Sequence, residues 1–256
     1  MNPSTLTVTE EPIATITLKR AHCLDVAGKH ALTDAFLALA EQHELRAGIL
    51  AADHPAAWLV DVAELAEMSP AAARAFSRAG HRLADAIAAL PVPVIAAVDG
   101  PALGGGCELV LACDLALAGA SACFGQIEAM GGVLPAFGGT WRLAERVGRQ
   151  RAFAMMTTAE VLNPSAAKAA GLILDAVPSA NLLVAAYALA ERVARASRQS
   201  VAAIKRVTRA GVHLPPAAIA ALEQETFAGL FGTDDQRQRM QSFLARQATI
   251  PEEMHS

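Results

Sequence analysis

Apolar and polar residues alternate through Thr5–Val8 and again through Ile13–Leu18, on either side of Glu10-Glu11-Pro12, which predicts a β-hairpin. From Lys29 to Leu45 the apolar positions take helical spacing, through Leu32, Phe36, Leu39 and Ala40. Ile49-Leu50 reads as a short strand. A second amphipathic helix runs from Ala71 to Leu90, with Ala75, Ala79, Leu83 and Ile87 on one face, and stops at Pro91-Val92-Pro93, where a helix is disfavoured. Strand Val94–Val98, helix Gly105–Cys113 and strand Leu115–Ala118 follow. Asn163-Pro164 opens another helix, Gly171 closes it, and strand Leu172–Val177 comes next. Beyond Asn181 the pattern is helical throughout: Leu182–Ala196, Val201–Ala210, Pro215–Leu230, and a last helix capped by Thr233 with Gln236 at capping-box spacing. Repeated strand–strand–helix units followed by helices predict an α/β fold with a helical C-terminal part. No linker marks an independent second domain.

A chain of 256 residues suits one large domain or one domain with an appendage. Its hydrophobic fraction, 54%, is high, but much of that is alanine, a good helix former. The longest apolar run, 103–118, is broken by three glycines, Glu108 and Asp114, so no membrane span is expected. The N-terminus lacks the basic-then-apolar order of a secretory signal. A net charge of −4 argues against nucleic acid as the main partner. Cys23, Cys107, Cys113 and Cys123 show no C-x-x-C spacing and read as reduced residues of a cytoplasmic protein, and the histidines have no metal-ligand spacing. Neither a metal nor a separate cofactor is expected.

The chemistry concentrates in Gly100-Pro101-Ala102-Leu103-Gly104-Gly105-Gly106-Cys107-Glu108 and in Glu128, twenty positions on. A strand delivers the chain into glycines that precede a helix, where the first N–H groups have no partner within the helix and suit a negative oxygen. A phosphate loop is excluded, because Cys107-Glu108 stands where Lys-Ser/Thr would be needed. The dinucleotide fingerprint fails at Leu109. Oxyanion donors beside two carboxylates are the parts for acid/base chemistry next to a carbonyl. Cys107 has no histidine near it in sequence to activate it as a nucleophile.

The run Pro93-Val94-Ile95-Ala96-Ala97-Val98-Asp99-Gly100 through Leu109, then Ala112-Cys113-Asp114-Leu115, Phe124-Gly125-Gln126-Ile127-Glu128 and Pro135 to Leu143 resembles the crotonase (enoyl-CoA hydratase/isomerase) superfamily. Weaker similarity reaches both ends of the chain. The resemblance implies a crotonase-like ββα spiral core over residues 1–195, binding acyl-CoA, and a helical trimerisation region over 196–256, in a homotrimer or dimer of trimers. It implies a trans-2-enoyl-CoA substrate hydrated at C2–C3, coenzyme A being part of the substrate. Glu108 and Glu128 match the catalytic carboxylate pair of the hydratase branch, and Gly105 matches one backbone oxyanion donor. Ala136 stands where a backbone N–H meets the bound water. Arg20, Trp58, Leu103, Phe243 and Arg246 fall at positions near CoA, the last two reaching it from a neighbouring subunit. An isomerase, another crotonase-type reaction and a non-catalytic acyl-CoA-binding member are the alternatives.

The pattern breaks at Pro55 to Leu65, where the family has a stretch like Ala-Phe-Ser-Ala-Gly-Ala-Asp-Leu. Anchoring on Asp61 makes Val60 the second oxyanion donor, whereas another register would use Val62. Leu59 then replaces a glycine and restricts φ, and Trp58 brings bulk to where CoA passes.

Overall fold

A computed structural model describes residues 6–9 and 12–247, which divide into two units between Ala194 and Arg195. In chain order the first unit begins with β1 (Leu6–Thr9), β2 (Ile13–Leu18), α1 (Val26–Ala40), β3 (Ala47–Ala52), α2 (Val62–Ala66), α3 (Pro70–Ala89), β4 (Val94–Val98), β5 (Pro101–Leu103) and α4 (Gly105–Ala112). It continues with β6 (Leu115–Ala118), β7 (Cys123–Gly125), α5 (Gly139–Val147), α6 (Arg149–Thr158), α7 (Pro164–Ala169), β8 (Asp175–Ala176) and α8 (Leu182–Ala194). β1 and β2 form the expected antiparallel hairpin, Leu6 opposite Leu18; Thr5, Glu10 and Glu11 lie outside the described residues. β3, β4, β6 and β8 extend it in parallel, in the order β1-β2-β3-β4-β6-β8, while β5 and β7 pair in a small second sheet with Ala102 opposite Phe124. β4 and β6 thus each hand the chain to a strand of the other sheet, and β5 leads directly into α4.

The central strands are almost wholly apolar because both faces of the large sheet are covered. Ala47, Ile49 and Ala51 of β3, with Ile95, Ala97 and Leu117, pack against Leu182, Ala186 and Ala190 of α8. The alternate residues Leu50, Val94, Ala96 and Val98 face the main core, where Leu32 and Phe36 of α1, Leu83 and Ile87 of α3 and Leu109 of α4 meet. That period of two places α4, and Glu108 with it, beside the sheet.

The predicted helix ends hold where a cap is present. Ser69 accepts the Ala72 N–H at 3.2 Å with Pro70 at the first helical position, and Asn163 caps α7 by accepting the Ala166 N–H at 2.8 Å. Helix α1 starts at Val26 instead of Lys29, because the Asp25 carboxylate accepts the Gly28 N–H at 2.6 Å and acts as the cap. β3 is longer than Ile49-Leu50, Ala47, Gly48 and Ala51 being as buried as the larger residues. The strand expected over 172–177 contracts to Asp175–Ala176, since the Leu172 N–H is used to close α7 on the Ala167 carbonyl. Helices α2, α5 and α6 have no counterpart in the sequence reading.

The second unit holds α9 (Arg198–Gly211), α10 (Pro216–Leu230) and α11 (Asp234–Gln247). Ser197 caps α9, and Thr233 caps α11 through the Gln236 N–H at 3.2 Å. Phe227 of α10 and Phe231 just beyond its end meet edge to face at 4.9 Å and are still largely exposed, as are Phe243 and Leu244 of α11.

Candidate active site

At the end of β5 the chain reverses at Gly104, whose φ of +54° favours glycine, and α4 starts at Gly105. A Cβ on Gly104 would stand 3.0 Å from Glu128 Oε1, so the second carboxylate lies directly against this turn. Gly106 permits a second close approach. A Cβ there would overlap the Trp58 carbonyl oxygen, which places the 55–60 segment against the first turn of α4. Val60 Cγ2 comes within 2.8 Å of the point a Gly105 Cβ would occupy. Asp61 caps α2, accepting the Ala63 N–H at 2.9 Å; Val60, just before it, neighbours Gly105, while Val62 is an exposed first residue of α2. Leu59 has φ −110° and ψ 151°, extended backbone open to any residue, so the loss of glycine there brings no strain. Among the described residues neither the Val60 nor the Gly105 N–H is engaged by a protein acceptor.

Glu108 is buried one turn into α4, and its carboxylate is wrapped by the loop before α5. Oε1 accepts the Phe137 N–H at 2.8 Å and the Gly139 N–H at 2.7 Å, and Oε2 accepts the Ala136 N–H at 3.1 Å. Two side chains hold that loop: Ser77 donates to the Ala136 carbonyl at 2.5 Å, and the buried Arg142 donates to the Phe137 carbonyl at 2.7 Å. Burial raises the Glu108 pKa above the usual carboxylate value, while the three N–H donors and Lys29 oppose the shift. Glu128, half-buried, is pushed up to about 7 by burial, with the Glu108 charge adding to it. Gln126 is fully buried beside it, and in the amide orientation that satisfies the network its nitrogen donates to both Glu128 oxygens, at 3.0 and 3.1 Å.

The other expected positions fare unequally. Ala136 does not keep its N–H for water, because Glu108 takes it. The Trp58 indole offers no surface to CoA in this conformation: it is fully buried in the main core, and its carbonyl, not its ring, is what meets α4. Leu103 is partly exposed immediately before the turn. Arg20 is paired with Asp25 at 2.7 Å and donates to the Ala21 and His22 carbonyls, ordering the approach to α1. Phe243 lies half-exposed on α11 of the second unit; Arg246 is in the same helix, its side chain outside the described residues. Burial, then the two glutamates, push the Cys107 thiol up, which disfavours the thiolate a nucleophile would need. No group of three potential metal ligands occurs among the described residues.

Sequence reading did not single out Lys29, Phe137, Gln126 or Arg142. For Lys29 a signal existed: it stands three, seven and ten positions before Leu32, Phe36 and Leu39, in line with the buried stripe of its helix.

The model of the enoyl-CoA hydratase/isomerase family matches residues 8–250. A protein of Dictyostelium discoideum named probable mitochondrial enoyl-CoA hydratase is 40% identical over 154 residues, 60% of this chain and just over half, 56%, of that one. The short-chain-enoyl-CoA hydratase of Clostridium acetobutylicum is 31% identical over 93% of both chains. Among solved structures, the enoyl-CoA hydratase of Bacillus anthracis superposes with a TM-score of 0.89 at 28% identity, covering 94% of this chain and 96% of that one. With two glutamates gathered at a glycine-built helix start and a family match over nearly its whole length, the chain belongs to the enoyl-CoA hydratase/isomerase family of enzymes, the crotonase superfamily.

Proposed function

We propose that this chain catalyses the reversible hydration of a trans-2-enoyl-CoA to a 3-hydroxyacyl-CoA. The observation that carries the reading is the meeting of Glu108 and Glu128 at the Gly104–Gly106 turn. The thioester oxygen sits on the Gly105 and Val60 N–H groups, which take up the negative charge that develops on it. Glu108, whose three N–H donors favour its carboxylate, removes a proton from water as the water oxygen bonds to C3. Glu128, protonated because burial and the Glu108 charge disfavour its anion, delivers a proton to C2. The pair ends with the same single proton on the other glutamate, ready for the reverse reaction. No group beyond the substrate's own CoA enters the cycle.

The titration of this pair sets the pH dependence. One proton must be shared, so kcat/KM falls as pH rises past about 7, where Glu128 loses its proton. It falls again in acid, when the second carboxylate protonates. Hydration and dehydration start from tautomers with the same proton count, so their profiles should overlay. Crotonyl-CoA hydration and 3-hydroxybutyryl-CoA dehydration measured between pH 5 and 9 check this; a flat profile above pH 7 would remove Glu128 from the chemistry.

The second unit is the oligomerisation region in this reading, supported by the exposed Phe227, Phe231, Met240, Phe243 and Leu244 on α10, at its C-terminal end and on α11. The expected assembly is a homotrimer or a dimer of trimers in the cytoplasm. Light scattering at micromolar concentration checks it, a monomer being the contrary result.

A further inference from the structure

Helix α1 turns a charged side chain onto its buried face. Lys29 is completely buried, and among the described residues its Nζ has no hydrogen-bond partner. The ammonium lies 2.8 Å from the centroid of the Phe76 ring, on α3, and 4.9 Å from that of Phe137. Two aromatic faces offset only part of the cost of drying a group that normally donates three hydrogen bonds. Glu108, Glu64 and Asp25 favour its charge from a distance; burial outweighs them and pulls Lys29 down to about 7. A buried lysine without an acceptor lowers stability, whether it keeps its charge or sheds it, and the hydration chemistry makes no use of it.

Phe137 connects this cation to the reaction centre. Its N–H holds Glu108, and its Cε1 lies 3.1 Å from the position a Gly105 Cβ would take, so one ring borders both the oxyanion turn and the ammonium. We propose that Lys29 closes the acyl subsite and pairs with a carboxylate on the distal carbon of the acyl chain, so that the substrates are 2-enoyl-CoA esters of short dicarboxylic acids. The inference rests on the hydratase reading, which anchors the thioester at Gly105 and Val60. A five- or six-carbon chain spans roughly 5–6 Å from C1 to its far carboxylate with bonds near 1.5 Å. The Phe137 ring stands between the Gly105 turn and Lys29, so the chain has to reach past one phenyl ring. An uncharged chain leaves the ammonium without an acceptor, whereas a terminal carboxylate completes it, and discrimination of this kind is strong because the penalty falls on a buried group left unpaired.

Binding of unreactive saturated thioesters tests the subsite without relying on turnover. Calorimetric affinities of glutaryl-CoA against valeryl-CoA, and of adipyl-CoA against hexanoyl-CoA, compare a carboxylate with a methyl at or beyond the same chain end. The wild-type chain is expected to favour the dicarboxylic thioester at least tenfold in one of the two pairs, and Lys29→Met to abolish that preference. Lys29→Gln serves the same purpose where the methionine variant does not fold. Equal affinities within both wild-type pairs, a preference that survives both substitutions, or an equal loss for all four ligands would overturn the proposal. Crotonyl-CoA hydration by the same wild-type preparation separates the two readings. Absent hydration with an intact preference removes the reaction and leaves the subsite; hydration without preference removes the subsite and leaves the reaction.

Discussion

Glu108→Gln and Glu128→Gln are each expected to lower crotonyl-CoA hydration by roughly 10²–10⁴-fold, the usual worth of a positioned acid/base group. The two losses have different physical origins. In Glu108→Gln one carboxylate oxygen becomes an NH₂, and three backbone donors then compete for a single acceptor. The proposed base disappears and the loop carrying Phe137 loses part of its anchor. Glu128→Gln leaves that loop alone and removes a charge the fold disfavours. Because the folded pKa of Glu128 lies near 7, above its ordinary 4.5, its ionisation costs stability progressively as pH rises from about 4.5 to 7. Glutamine removes that cost, on the order of 2 kcal/mol at pH 8, for a Tm gain of roughly 4–8 °C. A Glu128→Gln protein that is inactive yet more heat-stable at pH 8 therefore identifies lost chemistry and not lost structure. Full hydration activity in both variants would falsify the two-carboxylate mechanism. Activity lost in only one of them would favour double-bond isomerisation, which uses one principal acid/base carboxylate.

The two carboxylates were legible because they sit in short, specific surroundings. Glu108 stands out in an apolar helix after three glycines, and Glu128 follows a strand. Their partners were not legible, because backbone N–H groups carry no side-chain signature: nothing in Pro135-Ala136-Phe137-Gly138-Gly139 states that three of its amides converge on one carboxylate. The same reason explains Trp58. A large ring in a divergent segment reads as an obstacle in a channel, but the 3-10 turn over Pro55–Trp58 points it into the core and presents its carbonyl instead. Periodicity located α3 and α8, whose apolar faces pack on one side. It missed the strand pairing of β5 and β7, each three residues long, too short for an alternating pattern to register.

Gly106→Ala should show how strongly the site depends on the approach of two backbones. The glycine lies in the first turn of α4, where alanine would ordinarily be the better helix former. Here its added methyl would overlap the Trp58 carbonyl oxygen, and both partners are backbone, so neither can rotate away. Either α4 or the 58–60 segment must shift, and the two proposed oxyanion donors, the Gly105 and Val60 N–H groups, ride on those two pieces. Displacing one oxyanion donor by a fraction of an ångström to an ångström is expected to reduce kcat roughly 10²-fold. Overpacking between buried elements should in addition cost about 1–3 kcal/mol of stability. Gly229→Ala supplies the contrast: it lies in helix α10 with open space around its would-be Cβ, and alanine there should be neutral or stabilise by about 0.5–1 kcal/mol. Thermal melts and steady-state hydration of both variants make the comparison. Unchanged kcat in Gly106→Ala would mean that the two segments can separate without disturbing the oxyanion site, and Val60 would then have to be abandoned as the second donor.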